Sequence, residues 1–357
     1  MTSPVSRHAH VVGLGLIGAS VALALRQAGW KVTGTDLNGD VVDAARAAGI
    51  IDDERMSEAT SLIVIATPAG TVAAVANRLL AEHVNPDLLV TDVAGVKGSI
   101  VHDVDDPRFL GGHPMAGTEQ RGLAGARADI FQGCTWVLTP TLTTLPATYS
   151  ELHGILREIG ANVVAVSAED HDRLVALASH VPHLLAGALM NEAARAAEED
   201  AVLLQLAAGG FRDMTRIAAG DPSIWPDVLF ENRLAIGQTL LALEDRLRQL
   251  RQALETGGRG VVEESLRTAS IARRQLPGRA LSAENLAYLR VAVTDQPGVL
   301  AAVTMAASDL LVNIYDIEIA HGIEGVGGTL LLAVDANQAA TFQNALSELG
   351  FSVALER

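Results

Sequence analysis

The segment Gly13-Leu14-Gly15-Leu16-Ile17-Gly18 constrains the fold of this chain more than any other. It follows an apolar run, His10 to Val12, and opens an apolar helical period, while Asp36 closes the next apolar run, Lys31 to Thr35. Strand, glycine turn, helix, strand and acid in that order predict a βαβ unit that binds a dinucleotide. Gly13 permits the tight turn, Gly15 lets backbone approach a pyrophosphate, and Gly18 lets helix and strand pack. Leu16 and Ile17 lie in the first turn of the helix, whose positive end faces the phosphate charge. The Asp36 carboxylate favours a free ribose diol and repels a 2'-phosphate, and neither Leu37 nor Asn38 brings an arginine to reverse this. The cofactor expected is NAD rather than NADP.

The same rhythm continues through apolar runs at Ser61 to Ala66, Asp87 to Thr91 and Cys134 to Leu138, so residues 1–166 read as an α/β Rossmann domain on a parallel sheet. Ala66-Thr67-Pro68 closes the third run, which places Thr67 and Pro68 at the mouth of the cofactor cleft. From 167 to 280 the strand signal vanishes and Ala, Leu, Arg and Glu dominate, predicting an all-helical domain. Within it, a helix starting near Pro226 and running to Glu255 carries Ile236, Leu240, Leu243, Leu247, Leu250 and Leu254 at alternating steps of four and three. A seam of that period asks for a long partner helix and predicts a homodimer; packing within its own domain is the alternative. Residues 287–357 read strand, helix, strand, strand, helix, strand, a small α+β domain of βαββαβ order.

Composition excludes several function classes. The 42 acidic residues exceed the 26 basic ones, giving a net charge of -16, so nucleic acid and anionic membrane are poor partners. Cys134 is the one cysteine among 357 residues, which rules out an intrachain disulfide and fits a reducing cytoplasm. The apolar stretch Val11 to Gly29 is interrupted by Gly13, Gly15, Gly18 and Arg26 and lacks a basic region before it, so it reads as strand, loop and helix rather than as a leader or an anchor.

Four further segments carry chemistry. In Gly111-Gly112-His113-Pro114, two glycines set an imidazole at a strand end beside the nicotinamide side of the cleft, where a base working near neutral pH is useful. Lys97, in Asp92-Val93-Ala94-Gly95-Val96-Lys97, reads either as a carboxylate partner or as a solvated loop cation. In Ser179-His180-Val181-Pro182-His183 the histidines stand three apart, yet no H-E-x-x-H pattern or second cysteine supports a metal, and none is expected. In Gly209-Gly210-Phe211-Arg212-Asp213-Met214-Thr215-Arg216, one arginine is placed to grip a carboxylate, the alternative being pairing with Asp213 or Asp221.

These segments, together with Asp221-Pro222-Ser223-Ile224-Trp225, resemble the prephenate dehydrogenase family, which includes arogenate dehydrogenases, in its form with a C-terminal ACT domain. The resemblance spans nearly the whole chain. It implies NAD-dependent oxidative decarboxylation of prephenate to 4-hydroxyphenylpyruvate in tyrosine biosynthesis, with arogenate as the alternative substrate. It also implies roles: His113 meets the ring 4-hydroxyl, Ser179 and His183 line the side-chain pocket with Thr118, and Arg216 binds the side-chain carboxylate. Glu119, Asp213 and Trp225 match pocket or gating positions. Where members often read D-x-G-S-V-K, this chain has Gly95 in place of the serine.

The tail resembles an ACT domain, whose effector sites commonly lie at the first strand–helix loop. That loop here is Asp295-Gln296-Pro297-Gly298, and Asn313 opens the second strand beside it; tyrosine is the leading effector by feedback logic. Two other functions compete. A β-hydroxyacid-type dehydrogenase would share the Rossmann and helical parts, but residues 168–200 contain no lysine for its central helix. A non-catalytic NAD or amino-acid sensor would explain Gly95.

Overall fold

The computed structural model describes residues 7–117, 120, 122–200, 202–220, 222, 225–275, 286–293, 299–312, 314–321 and 328–356. Contacts divide the chain into two compact units, 1–188 with 217–243 and 189–216 with 244–357.

The first unit is built on a seven-stranded sheet. In chain order its elements are β1 (His8–Val12), α1 (Leu16–Gln27), β2 (Lys31–Thr35), α2 (Gly39–Ala47), β3 (Leu62–Ile65), α3 (Ala69–Glu82), β4 (Leu89–Asp92), α4 (Gly98–Asp103), β5 (Phe109–Pro114), β6 (Thr135–Thr139), α5 (Pro146–Glu158) and β7 (Asn162–Ala165). Sheet order is β2-β1-β3-β4-β5-β6-β7. Each of β3's four residues is buried, because the sheet is covered on both faces. Leu62 and Val64 face the cluster that includes Ala19 and Ala22 of α1 and Leu152 of α5; Ile63 and Ile65 face Val72, Ala76 and Leu80 of α3. Each fully buried Leu or Ile contributes roughly 1.5–3 kcal/mol over leaving it exposed.

One pairing corrects the parallel-sheet expectation: β5 and β6 run antiparallel, with Gly112 opposite Leu138 and His113 opposite Val137. A parallel pair needs a crossover, usually a helix. Between β5 and β6 the described residues form only two 3-10 turns, Leu123–Gly125 and Ala128–Phe131, and the chain returns directly alongside.

The helical section contains α6 (Ala168–Val175), α7 (Val181–Glu199), α8 (Gly209–Thr215), α9 (Trp225–Glu231), α10 (Arg233–Thr256) and α11 (Arg259–Arg274). Ser167 caps α6 by accepting from the Asp170 amide. Between α6 and α7 the backbone makes one π turn, Ala176–His180, in which Val181 N–H bonds the Ala176 carbonyl. The run 168–199 is long and apolar enough to cross a membrane by length and composition. Its buried His180, however, bonds Asn232, as in a helix packed within a folded domain. The single helix expected from Pro226 to Glu255 is instead interrupted at Asn232, whose side chain is drawn inward to the Asp172 carbonyl. The first half of the apolar seam packs within its own domain, the alternative reading. Ile236, Leu240 and Leu243 pack against Ala176 and Val181, whereas Leu247 and Leu254 are 54% and 72% exposed within one chain.

The tail forms β8 (Leu286–Val293), α12 (Val299–Asp309), β9 (Ile314–His321), β10 (Gly328–Asp335), α13 (Ala336–Glu348) and β11 (Ser352–Glu356). Its antiparallel sheet has order β11-β8-β10-β9, and Leu289, Val291, Leu330, Leu332 and Val334 pack against Val303 of α12 and Phe342 and Leu346 of α13. This is the βαββαβ arrangement expected from the sequence. Asp295, Pro297, Gly298 and Asn313 lie outside the described residues.

Candidate active site

At the nucleotide end, the three glycines do different work. Gly13 has φ +92°, and a Cβ on it would stand 2.5 Å from the Ala66 carbonyl oxygen. A Cβ on Gly18 would stand 1.9 Å from the Gly13 carbonyl oxygen, whereas one on Gly15 would meet nothing within 4 Å. Gly13 and Gly18 are therefore fixed by internal packing. Gly15 borders open space at the start of α1, beyond the ends of β1 and β3, and these strands adjoin where the sheet order reverses. Asp36 is held at the end of β2 by the Leu14 and Asn38 amides at 2.8 and 2.9 Å. Leu16 and Ile17 form the first turn of α1, Thr67 follows β3, and Pro68 is the residue capping α3. The open backbone at Gly15 and the acid at the end of β2 fit a dinucleotide.

Across the sheet, His113 is the next-to-last residue of β5. Gly111 and Gly112 allow this strand to press close: a Cβ on Gly111 would lie 2.5 Å from Thr139 Oγ1 and 3.3 Å from Lys97 Cδ, and one on Gly112 would lie 2.8 Å from the Asp92 carbonyl oxygen. The Gly112 amide donates to Asp92 Oδ1 at 3.1 Å. Asp92 Oδ2 accepts from the Ala94 amide and forms an ion pair with the Lys97 ammonium. Both side chains of that pair are 0% exposed, so Lys97 is a carboxylate partner, of Asp92, and not a solvated loop cation. Burial pushes the Lys97 pKa down, against the opposing pull of Asp92.

His113 is half-buried and its two ring nitrogens have different surroundings. Nδ1 lies 2.8 Å from Nε2 of the buried His171, and His171 Nδ1 lies 2.8 Å from Asp172 Oδ1. Nε2 borders the space over Gly95, 3.7 Å from where a Cβ on that residue would stand. Burial, with the neighbouring His171, Lys97 and His180, holds the His113 pKa well below the ordinary histidine value. The ring is neutral at pH 7, the state in which an imidazole accepts a proton.

The π turn supplies the rest. His180, buried, contacts the Asn232 amide at 3.1 Å, and the same amide donates to the Asp172 carbonyl at 2.8 Å. Burial lowers the His180 pKa to about 4. His180 meets Trp225 edge-on at 6.4 Å, and His183 stacks on that indole at 3.7 Å and 17°. Among the residues expected from sequence, the structure thus links His113 with His183 through His171, Asp172, Asn232, His180 and Trp225. Ser179 sits half-buried on the π turn beside them. Arg216 follows α8, exposed, in the second compact unit. Thr118 and Glu119 lie outside the described residues. No group of three or more His, Cys, Asp or Glu side chains placed to hold a metal occurs among the described residues.

His171, Asp172 and Asn232 were not singled out by sequence reasoning. The one local signal was the run Glu169-Asp170-His171-Asp172, in which a histidine sits among acids at a helix start.

Residues 21–165 match the family described as prephenate dehydrogenase, nucleotide-binding domain, and residues 167–268 match prephenate dehydrogenase, dimerization domain. The chain is 31% identical over 340 residues to a prephenate dehydrogenase of Bacillus subtilis, covering 92% of each. Among solved structures it resembles prephenate dehydrogenase from A. aeolicus in complex with hydroxyphenyl propionate and NAD+, with 30% identity, a TM-score of 0.71, and coverage of 76% of this chain and 98% of that one. It also resembles Synechocystis arogenate dehydrogenase, at 30% identity and a TM-score of 0.66, covering 74% and 98% respectively.

Proposed function

The chain belongs to the prephenate dehydrogenase family, and from that premise we propose that it converts prephenate to 4-hydroxyphenylpyruvate by NAD-dependent oxidative decarboxylation. The observation that carries this reading is His113, with Nδ1 tied to His171 and Nε2 left beside the space over Gly95. Gly13, Gly15, Leu16, Ile17, Gly18, Asp36, Thr67 and Pro68 would hold NAD, which when bound would supply the hydride acceptor for the carbinol carbon. As hydride departs, the 4-hydroxyl acquires the acidity of a protonated ketone, so a weak base suffices and His113 Nε2 accepts the proton. The C–CO2 bond breaks, its electron pair enters the ring, and aromatisation drives the step. Arg216 grips the side-chain carboxylate, while Ser179, His183 and Thr118 line the pocket that takes the side chain. The serine hydroxyl absent at Gly95 removes one contact to the 4-hydroxyl but leaves the base in place, which favours an enzyme over a silent sensor.

The competing substrate is arogenate, favoured by the likeness to the Synechocystis enzyme. NADH formation from the two compounds, measured side by side, assigns the substrate. In the same assay His113→Asn lowers kcat by about 100-fold or more while KM moves less; wild-type kcat in that variant rejects the reading.

The protein works in the cytoplasm as a homodimer through its helical section, and the tail is an ACT-like regulatory domain that binds tyrosine. We assign the effector site to Asp295, Pro297 and Gly298 of the first strand–helix loop together with Asn313. Tyrosine shifts substrate affinity or kcat by a coupling of about 1–3 kcal/mol, and Asn313→Ala in the full chain abolishes the shift while basal turnover persists. Unchanged tyrosine response in that variant removes Asn313 from the effector site.

A further inference from the structure

We propose that His113 does not keep the proton it takes, and that His171 and Asp172 act behind it as a relay that moves the charge one ring away from the reacting carbon. The inference rests on the reading of His113 as the base.

The geometry permits one arrangement of protons. Asp172 is fixed as an acceptor: its Oδ1 receives the Lys97 amide and its Oδ2 the Gly98 amide, each at 2.8 Å. Burial raises its carboxyl pKa, but the His171 bond and these two amides outweigh that and leave it below the ordinary value. An ionised carboxylate only accepts, so the proton between Asp172 and His171 belongs to His171 Nδ1. His171 Nε2 then carries a lone pair, and the proton in its 2.8 Å contact with His113 belongs to His113 Nδ1. What remains on His113 is the Nε2 lone pair, on the side of Gly95. These tautomers follow from the hydrogen-bond network as a whole.

The charges around His113 give the relay its direction. Lys97, with its partner Asp92, is buried beneath β5, and His180 faces the cluster from the π turn. A cation on His113 meets the Lys97 charge in a site largely shielded from water. A cation on His171 lies against the Asp172 carboxylate. In the step, the substrate O–H bond breaks and an Nε2–H bond forms on His113; the His113 Nδ1–H bond breaks and an Nε2–H bond forms on His171. His113 ends neutral, and His171 ends as an imidazolium paired with Asp172. No electrons pass to or from these residues. His171 and Asp172 touch neither substrate nor cofactor and are positioning residues.

His171→Gln tests the relay, because the glutamine amide oxygen can accept from His113 Nδ1 and keep the tautomer but cannot take up the proton. In single-turnover NADH formation the rate falls about 10- to 100-fold, with substrate affinity within about twofold. The dependence of that rate on the D2O fraction is curved in the wild type, as two protons move, and linear in His171→Gln. Asp172→Asn supplies an independent readout: without the carboxylate the protonated histidine pair is less favoured, so the acid limb of the rate moves to lower pH. A single-turnover rate within twofold of wild type in His171→Gln, a curve it shares with the wild type, or an unmoved acid limb in Asp172→Asn overturns the relay. Loss of activity in His113→Asn alongside such a result leaves the base assignment standing; full activity in His113→Asn defeats the base assignment itself.

Discussion

The two ends of the first unit achieve precision by opposite means. At the nucleotide end, Gly13, Gly15, Gly18 and Asp36 lie within one βαβ unit, and the working groups are largely backbone. At the end of β5, the working groups are side chains brought from far apart: His113 and His171 are 58 residues apart, Lys97 and Asp172 are 75, and His180 and Asn232 are 52. The first arrangement is set by which residues lack a Cβ, and the second by which buried polar groups find partners. A cradle of the first kind tolerates little added bulk, whereas a cluster of the second kind tolerates little loss of charge or hydrogen bonding.

The sharpest test of this contrast is Lys97→Met. It keeps the volume but leaves Asp92 buried without its cation, and it lowers unfolding free energy by about 3–5 kcal/mol. An unchanged denaturant midpoint would show that the β5 cluster does not depend on the pair. Gly18→Ala adds only a methyl group, but against a backbone carbonyl, and costs about 3 kcal/mol by the same measurement. A stable Gly18→Ala protein with normal NAD affinity would erase the distinction drawn for the nucleotide end. Gly15→Ala folds as the wild type and weakens NAD binding about tenfold, near 1.4 kcal/mol, read by fluorescence titration; unaltered affinity would mean that ligand does not approach that backbone.

Both ends also hold a buried neutral histidine. His10, bonded to Thr33 Oγ1 at 2.8 Å, and His180 each have a pKa lowered by burial to about 4. A folded-state pKa below the unfolded value of 6.5 means that the unfolded chain binds the proton more readily. Stability is therefore complete above pH 6.5 and falls as pH drops toward 4, by about 2 kcal/mol per ring at pH 5. Thermal unfolding from pH 7 to pH 4 checks this. His10→Gln removes the contribution of β1 and His180→Gln that of the π turn, and a pH dependence identical in all three proteins would discard the assignment.

The same contrast explains what could be read beforehand. The glycine turn, Asp36, the βαββαβ tail and His113 are local patterns, visible in a short window of residues. Lys97 stays open between carboxylate partner and loop cation because its charge alone is visible in sequence, while the approach of β4 and β5 that buries it against Asp92 is not. His171 and Asp172 look like ordinary polar residues of a helix start until the Lys97 and Gly98 amides are brought against them. The antiparallel return of β6 was missed because its cause is the lack of a crossover helix between two strands, not a pattern within either. The break at Asn232 likewise answers to a carbonyl and an imidazole on another helix.

The π turn at 176–180 has a consequence for insertions and deletions. A π turn holds one residue more than the α-helical turn it replaces, and each residue added to or removed from a helix rotates everything beyond it by about 100°. Deleting one residue there would leave the helix as long and as apolar as most of its kind, yet would swing His183 away from Trp225 and set Val181 and Leu184 out of phase with Ile236. A protein so shortened would keep its helix content and its nucleotide cradle while losing the stack of His183 on Trp225. A length change at this point thus takes apart the His180–Asn232 and His183–Trp225 contacts rather than passing as neutral drift in a helix.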